Sequence, residues 1–342
     1  MIQSLMKSVA LALALGSAMI PAAFAEDPVA IKFTLDWAKE GPNSFALLAD
    51  ERGYFKDPAI ASFTMDRGFG SGKVPVDIAA GTYQMGMADI NPAIKFLAQN
   101  PDSDLIAIAI LADGAPLAAF SKKDGPVQKP KDLEGKKVAA PDFDAGRQLF
   151  PAFADATGID MSKIDWISVK PELREPMLVQ GQADAITGFL TSSLLSLKRI
   201  GVKEDDLNIF MYKDYGLPFY STALLTTKKF AEAHPEAVKA VVAGMIKGLQ
   251  DQIAEPDAAM TALKKAEPLT DEAIERERMQ LWFDVLVLTP HVKENGLSQV
   301  EPERMQKAIV AVENAYKMPN QLTVDKLYTD AYLPPKADLQ VK

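Results

Sequence analysis

The sequence predicts an α/β protein with two lobes, each a mostly parallel β-sheet flanked by helices. Three observations predict this fold class: short apolar runs alternate with helical stretches, the alternation restarts after a polar, proline-punctuated segment at 124–131, and long helices follow at the carboxyl end. A chain of 342 residues is long enough to form two sizeable cores.

The first residues predict an export signal that is removed. Lys7 precedes an apolar run over 9–20, and an Ala-x-Ala cleavage site ends at Ala25, just before Glu26. The run is shorter than the roughly 20 residues that span a bilayer, which argues against the alternative of a membrane anchor. Because the sequence has no Cys to carry a lipid, we expect a periplasmic protein that is cleaved after Ala25 and not inserted into the membrane.

Composition excludes several classes of function. With 37 Lys and Arg against 46 Asp and Glu, the net charge is -9, and no local basic cluster suggests a nucleic-acid partner. The absence of Cys excludes thiol nucleophiles and iron–sulfur clusters, and two His residues offer little for a metal centre. We therefore predict no metal and no cofactor. His234 and His291 each adjoin a proline, and neither shows an acid–base partner in the sequence.

The first series of elements begins the mature chain. Short apolar runs of the size of buried strands alternate with amphipathic stretches of the size of short helices. The strands are predicted at 31–37, 62–66, 83–88, 105–112 and 118–121, and the helices at 43–52, 75–80 and 92–98.

The second series follows the polar segment and has the same character. Its strands are predicted at 137–140, 166–169, 185–188 and 207–212, its helices at 145–157, 172–180 and 192–199, and a further strand at 222–226 is followed by helices at 234–253, 256–265, 271–286 and 302–315.

The order of these elements predicts one lobe inserted into the other. We expect a first lobe of residues 26–120 and 218–342 and a second lobe of residues 121–217, joined by crossings at 118–123 and 214–220. Two crossings imply a hinge and a cleft, and clefts at the carboxyl ends of strands are preferred ligand sites.

Candidate ligand-binding residues follow the first predicted strand. Asp36 and Trp37 could accept a hydrogen bond from a flat solute and stack on it, or Trp37 could belong to the core while Asp36 satisfies loop amides. Asn43 or Ser44 could cap the next helix. Further on, Gly70, Ser71 and Gly72 precede a helix, and their backbone N–H groups could converge on an acceptor or form a plain tight turn.

The second lobe offers its own candidates. Arg147 lies in the first turn of a predicted helix, where a cation is unfavourable, so either an anionic ligand or an internal pair with Asp142 or Asp144 should compensate it. Phe189 ends a strand, and the hydroxyls that follow it could cap a helix or face a ligand. Arg174 lies among acidic residues and is interpreted as a surface or interdomain ion pair.

The opening motif Leu35-Asp36-Trp37, with Pro42-Asn43 and the helix that ends in Gly53-Tyr54-Phe55, resembles the solute-binding proteins of ABC importers for nitrate, sulfonates, taurine and thiamine-precursor pyrimidines. The similarity continues through Gly70 to Gly72, Gly86 to Asp89, Asp132 to Lys136 and Leu178 to Gly188. The order and spacing of the motifs carry the resemblance over nearly the whole mature chain. Asp89, in a matched segment, and Tyr220, at the end of the second crossing, complete the predicted ligand-binding set.

The resemblance implies the type II periplasmic-binding-protein fold and a function. It implies a monomer that traps a small solute by lobe closure and delivers it to an ABC permease with its ATPase. The opening motif is most similar to binders of pyrimidines and related heteroaromatic solutes, and a sulfonate, taurine or nitrate anion is the alternative. Asp36 or Trp37 from one lobe and Arg147 or Phe189 from the other should approach the same solute.

Two other functions are compatible with this fold. The protein could be a sensing subunit that presents its ligand to a receptor. It also resembles fungal enzymes that build the thiamine pyrimidine with a cysteine-rich segment, but the absence of Cys argues against an enzyme here.

Overall fold

A computed structural model describes residues 27–217, 219–319 and 321–341 of the chain. The predicted export signal and its cleavage site lie outside the described residues. Within the described ranges, no helix has the length and apolar character needed to cross a membrane.

The described residues form ten β-strands. Their bounds agree with the predicted strands to within a few residues. The strands are β1 (Val29–Thr34), β2 (Ile60–Asp66), β3 (Met85–Asp89), β4 (Leu105–Ile110), β5 (Leu117–Lys122), β6 (Lys137–Ala140), β7 (Asp165–Ser168), β8 (Ala185–Phe189), β9 (Leu207–Met211) and β10 (Thr222–Thr227).

The same ranges contain thirteen α-helices. They are α1 (Ser44–Glu51), α2 (Val74–Ala79), α3 (Ile90–Gln99), α4 (Ala145–Thr157), α5 (Arg174–Val179), α6 (Leu190–Arg199), α7 (Lys228–Ala233), α8 (Pro235–Ala254), α9 (Pro256–Ala266), α10 (Glu272–Trp282), α11 (Pro290–Asn295), α12 (Pro302–Ala315) and α13 (Val324–Leu327). The sequence did not predict α7, α11 or α13, and a π-helical turn, Phe283–Val287, extends α10.

Two five-stranded sheets organise the molecule, in the orders β2-β1-β3-β10-β4 and β7-β6-β8-β5-β9. In each sheet four strands run in one direction and one runs against them: β10 is antiparallel to β3 and β4, and β5 is antiparallel to β8 and β9. The antiparallel strand is in each case the first strand after the chain changes sheets. This is the mostly parallel two-lobe architecture that the sequence predicted.

The strands that belong to each sheet show where the chain passes from one sheet to the other. All but the last residue of the predicted crossing at 118–123 lies in β5, which belongs to the second sheet, so the chain changes sheets earlier, between Ile110 and Leu117. Residues 118–120 are apolar, and they and Ser121 are buried because β5 is an interior strand of its sheet. The second change lies between Met211 and Thr222, a span that contains the predicted crossing at 214–220. The lobe boundaries themselves remain a proposal.

The core has one part that both lobes share. Met305 and Ile309 of α12 are buried in a cluster that also contains Ile94 of α3 and Phe150 of α4. The other faces of the two sheets have separate clusters, one with α1, α8, α9 and α10 and one with α6. The helix α12 therefore packs against helices of both lobes.

Candidate functional site

The carboxyl ends of three strands, β1, β6 and β8, meet where the two lobes face each other. Asp36 and Trp37 follow β1, Asp144 follows β6, and Phe189 is the last residue of β8. These residues line two small inner cavities of about 40 and 20 Å³. A water molecule needs about 10 to 15 Å³, so the inner cavities have room for a few waters.

A larger outer cavity of about 300 Å³ adjoins the inner ones. Trp37 lines all three cavities. The outer cavity lies between the loop after β1, the start of α5 and the segment before α10. Its walls include Lys39, Glu40, Arg67, Arg174, Glu175 and Glu275.

Trp37 is a half-buried wall residue of the cleft, which favours the ligand-facing interpretation over the core interpretation. The guanidinium of Arg174 lies over its ring, 5.0 Å from the ring centre. Asn43 shapes the loop that carries Trp37: its amide nitrogen donates to the carbonyl of Ala38 at 2.8 Å, and its oxygen accepts from the N–H of Glu40 at 2.9 Å. Asn43 also lines the larger inner cavity.

Asp36 is a buried carboxylate at the inner cavities, with 9% of its surface exposed. It accepts a hydrogen bond from the hydroxyl of Ser71 at 2.9 Å. Burial raises the pKa of Asp36 to about 7, while the Ser71 bond lowers it and the charges of Asp89 and Glu40 raise it. Asp36 can therefore accept from a ligand donor when ionised and donate when protonated.

The glycine loop brings the two lobes into contact. The N–H of Gly70 donates to the carbonyl of Asp36 at 2.7 Å, and the N–H of Gly72 donates to the carbonyl of Phe143 in the other lobe at 3.0 Å. Both N–H groups are thus already bonded and do not converge on a free acceptor site here. Gly70 has φ of 133°, and a Cβ added there would overlap the Phe143 carbonyl, so only glycine permits this approach.

Asp89 and Tyr220 do not line the inner cavities. Asp89 caps α3 by accepting from the N–H of Asn91 at 2.9 Å, and it also accepts from Ser221 at 2.8 Å. Burial raises the pKa of Asp89 to about 6. The hydroxyl of Tyr220 accepts from the N–H of Glu301 at 2.9 Å.

Arg147 lies away from the described cavities and is paired internally. It forms an ion pair with Asp142 at 2.7 Å, donates to Ser168 at 3.0 Å, and lies 4.9 Å from the ring centre of Trp166. The internal-pair alternative is therefore the one seen in this structure. It is Arg174 that faces the cleft instead.

The sequence analysis interpreted Arg174 as a member of a surface or interdomain ion pair. It is 2% exposed and pairs with Asp144 at 2.9 Å and with Glu175 at 2.7 Å. The sequence did contain a signal for this residue. Arg174 is the first residue of α5, and a cation at a helix start needs a compensating anion, as was argued for Arg147. Among the described residues around the inner cavities, the acidic ones are Asp36, Glu40 and Asp144, and the basic one is Arg174.

A comparison with known protein families shows the family to which this chain belongs. The family model described as NMT1/THI5 like matches residues 43–259. The chain belongs to the NMT1/THI5-like family. Among curated proteins, no match was found.

Solved structures share the fold of this family member at low sequence identity. A protein of Bordetella bronchiseptica RB50 aligns with a TM-score of 0.72 and 18% identity, covering 90% of this chain and 96% of that chain. The alkanesulfonate-binding protein SsuA from Xanthomonas axonopodis pv. citri, bound to MOPS, aligns with a TM-score of 0.67 and 16% identity, covering 89% and 100%. The periplasmic nitrate-binding protein NrtA from Synechocystis PCC 6803 aligns with a TM-score of 0.67 and 11% identity, covering 90% and 88%. The NMT1/THI5-like chain therefore has the two-lobe periplasmic-binding-protein fold.

Proposed function

We propose that this protein is the periplasmic solute-binding component of an ABC-type importer, which captures a small solute between its lobes and delivers it to a permease. The observation that carries the proposal is that Asp36 and Trp37 of one lobe and Asp144, Arg174 and Phe189 of the other line the same small inner cavity. A ligand in contact with both lobes binds the closed form more tightly than the open one, as capture requires. SsuA and NrtA, which share the fold, are periplasmic binding proteins for sulfonates and nitrate.

We further propose that the solute is planar, carries N–H donors and is neutral or cationic, as a pyrimidine-like heteroaromatic would be. Trp37 offers a ring for stacking, and Asp36 offers a carboxylate beside it. An anion would meet an excess of buried carboxylates, since Arg174 is already neutralised by Asp144 and Glu175. The charge around the inner cavities therefore favours this class over the sulfonate or nitrate alternative.

We propose binding with no chemical step. The sequence has no Cys to serve as a nucleophile or a cluster ligand. His291 contacts the carbonyl of Gln299 at 2.8 Å and lines a separate small cavity, away from Trp37.

The experiment compares two groups of probes by thermal shift and calorimetry at pH 7.5. Cytosine and 4-aminopyrimidine represent planar donors, and taurine, methanesulfonate and nitrate represent anions. A ligand at 100 times its dissociation constant should raise the unfolding free energy by about 2.7 kcal/mol. We expect stabilisation by the planar donors alone.

Matched variants show where a bound probe lies. Trp37→Ala should reduce the stabilisation, while Arg147→Ala should leave it unchanged, because Arg147 lies outside the described cavities. Stabilisation by the anions alone would contradict the ligand class. Binding of any probe that is insensitive to Trp37→Ala would contradict the site.

A further inference from the structure

We propose that Glu275 and Arg278 of α10 form a clasp that positions both walls of the cleft and holds the lobes closed before any ligand binds. The clasp is defined as the side chains of Glu275, Arg278, Glu40 and Ser192. Its effect on ligand affinity rests on the proposed function, while its effect on the lobes does not.

The helix α10 lies between the two lobes. Its Trp282 stacks on Phe45 of α1, with ring centres 5.9 Å apart and planes 1° apart, inside the core of the first lobe. On other faces of the same helix, Ile274 and Leu281 pack against the buried cluster of the second lobe that contains Leu194. The helix is thus anchored in one lobe and in contact with the other.

Glu275 holds the wall that carries Trp37. Its carboxylate accepts from the N–H of Gly41 at 2.7 Å and from Nε of Arg278 at 2.9 Å, and it is 6% exposed. A Cβ added at Gly41 would overlap the carbonyl of Glu275, so the loop lies directly against the α10 backbone. Gln252 of α8 donates to the Gly41 carbonyl at 2.7 Å and fixes the loop from the other side.

Arg278 holds the opposite wall, immediately after Phe189. Its guanidinium is 1% exposed and donates to the carbonyls of Thr191 at 2.8 Å and Ser192 at 2.7 Å. The hydroxyl of Ser192 in turn donates to Glu40 of the first lobe at 2.7 Å, and Glu40 lies 3.5 Å from Arg278. These bonds join the two lobes, and lobe opening would break them.

The burial of the clasp makes it energetically different from ordinary surface pairs. Lys198 and Glu277 join the same two helices, α6 and α10, at 2.5 Å, but both side chains are about half exposed. An exposed pair contributes little to stability, whereas removing one member of a buried pair leaves an uncompensated charge. Closure therefore depends on the clasp and not on Lys198.

A clasp of this kind acts on every ligand equally. The apparent dissociation constant equals the intrinsic one divided by the closed fraction, so loss of the clasp raises it by one factor for all ligands. A residue that touches the ligand would instead change the preference between ligands. This difference separates a positioning role from direct contact.

The first test needs no ligand. The sequence has no Cys, so Ser62→Cys on β2 and Asp165→Cys on β7, both exposed, can carry spin labels for a distance measurement between the lobes by pulsed electron resonance. In the otherwise unchanged protein, we expect the distance between the two labels to match the separation of residues 62 and 165 in this structure. We expect a longer distance in Arg278→Met and Ser192→Ala, and no change in Lys198→Ala. Equal distances in all four proteins, or a long distance in the unchanged one, would overturn the proposal.

The second test measures affinity for cytosine and 4-aminopyrimidine. Arg278→Met should weaken both by the same factor, about tenfold if the closed fraction falls from near one to a tenth, and Arg278→Lys should recover part of the loss. Should Arg278→Met not fold, Arg278→Lys gives the same comparison, since it keeps a buried cation and loses part of the hydrogen bonding to Thr191 and Ser192. A factor that differs between the two probes would overturn the positioning role. If neither probe binds, the ligand class fails while the distance measurement still decides the clasp.

Discussion

Replacement of Asp36 by Asn tests whether burial of this carboxylate makes the protein less stable as pH rises. Burial raises the pKa of Asp36 from 3.8 to about 7 in the folded protein. The unfolded chain keeps the ordinary pKa, so between about pH 4 and 7 the folded state binds this proton more tightly than the unfolded state. The stability that protonated Asp36 contributes is therefore lost as the pH rises to its folded pKa.

The magnitude follows from the size of the shift. One pKa unit corresponds to about 1.36 kcal/mol, so the wild type should lose about 2 to 3 kcal/mol of unfolding free energy through Asp36 between pH 5 and pH 8. Asn has the same shape and an oxygen that can still accept from Ser71, but it does not titrate. The gain in unfolding free energy of Asp36→Asn over the wild type should therefore be larger at pH 8 than at pH 5.

Urea unfolding at pH 5, 6, 7 and 8 and constant ionic strength measures this difference. Asp89, with a pKa of about 6, titrates in both proteins and largely cancels when one curve is subtracted from the other. Ser71→Ala serves as a control, because loss of its hydrogen bond should raise the Asp36 pKa. The loss of unfolding free energy should then extend to higher pH. A difference between wild type and Asp36→Asn that stays constant with pH would refute the reasoning.

Three further predictions concern the cleft. Trp37→Ala should cost about 1 to 3 kcal/mol of binding to a planar probe in calorimetry, with little change in melting temperature, because the ring is only half buried; a large fall in melting temperature at unchanged affinity would place the ring in the core. Gly70→Ala should lengthen the distance between spin labels on the two lobes, since the added methyl group meets the Phe143 carbonyl, whereas an unchanged distance would show that the loop adapts. Arg174→Met should lower the unfolding free energy by about 3 to 5 kcal/mol in urea unfolding, because Asp144 and Glu175 lose their buried partner, and a loss below 1 kcal/mol would contradict this.

Much of the fold could be predicted from the sequence because local patterns determine it. Apolar runs located the strands, and proline and glycine positions located most helix ends. The single helix predicted at 234–253 proved to be preceded by α7, since Pro235 begins a new helix directly after His234. The first sheet change was misplaced because an apolar run shows that a strand is buried and does not show which sheet contains it.

The candidate site was predictable only where residues lie at strand ends. Asp36, Trp37 and Phe189 line the cavities because each is at, or directly after, the carboxyl end of a strand. Arg174 carried a signal in its place at a helix start, but its pairing with Asp144 joins residues distant in sequence, as do the bonds from Arg278 to Thr191 and Ser192. Long-range pairing of charged groups leaves no periodic pattern in a sequence.

The central position of β10 has a consequence for how the protein folds. The second sheet is built from β5 to β9, a continuous stretch of chain, and can form as soon as residue 211 is available. The first sheet cannot, because β10 lies between β3 and β4, which are buried along their whole length. Until residues 222–227 arrive, two apolar strands have unpaired edges that invite aggregation. The second sheet should therefore fold first, and a chain that emerges amino end first should need protection from aggregation until β10 is inserted.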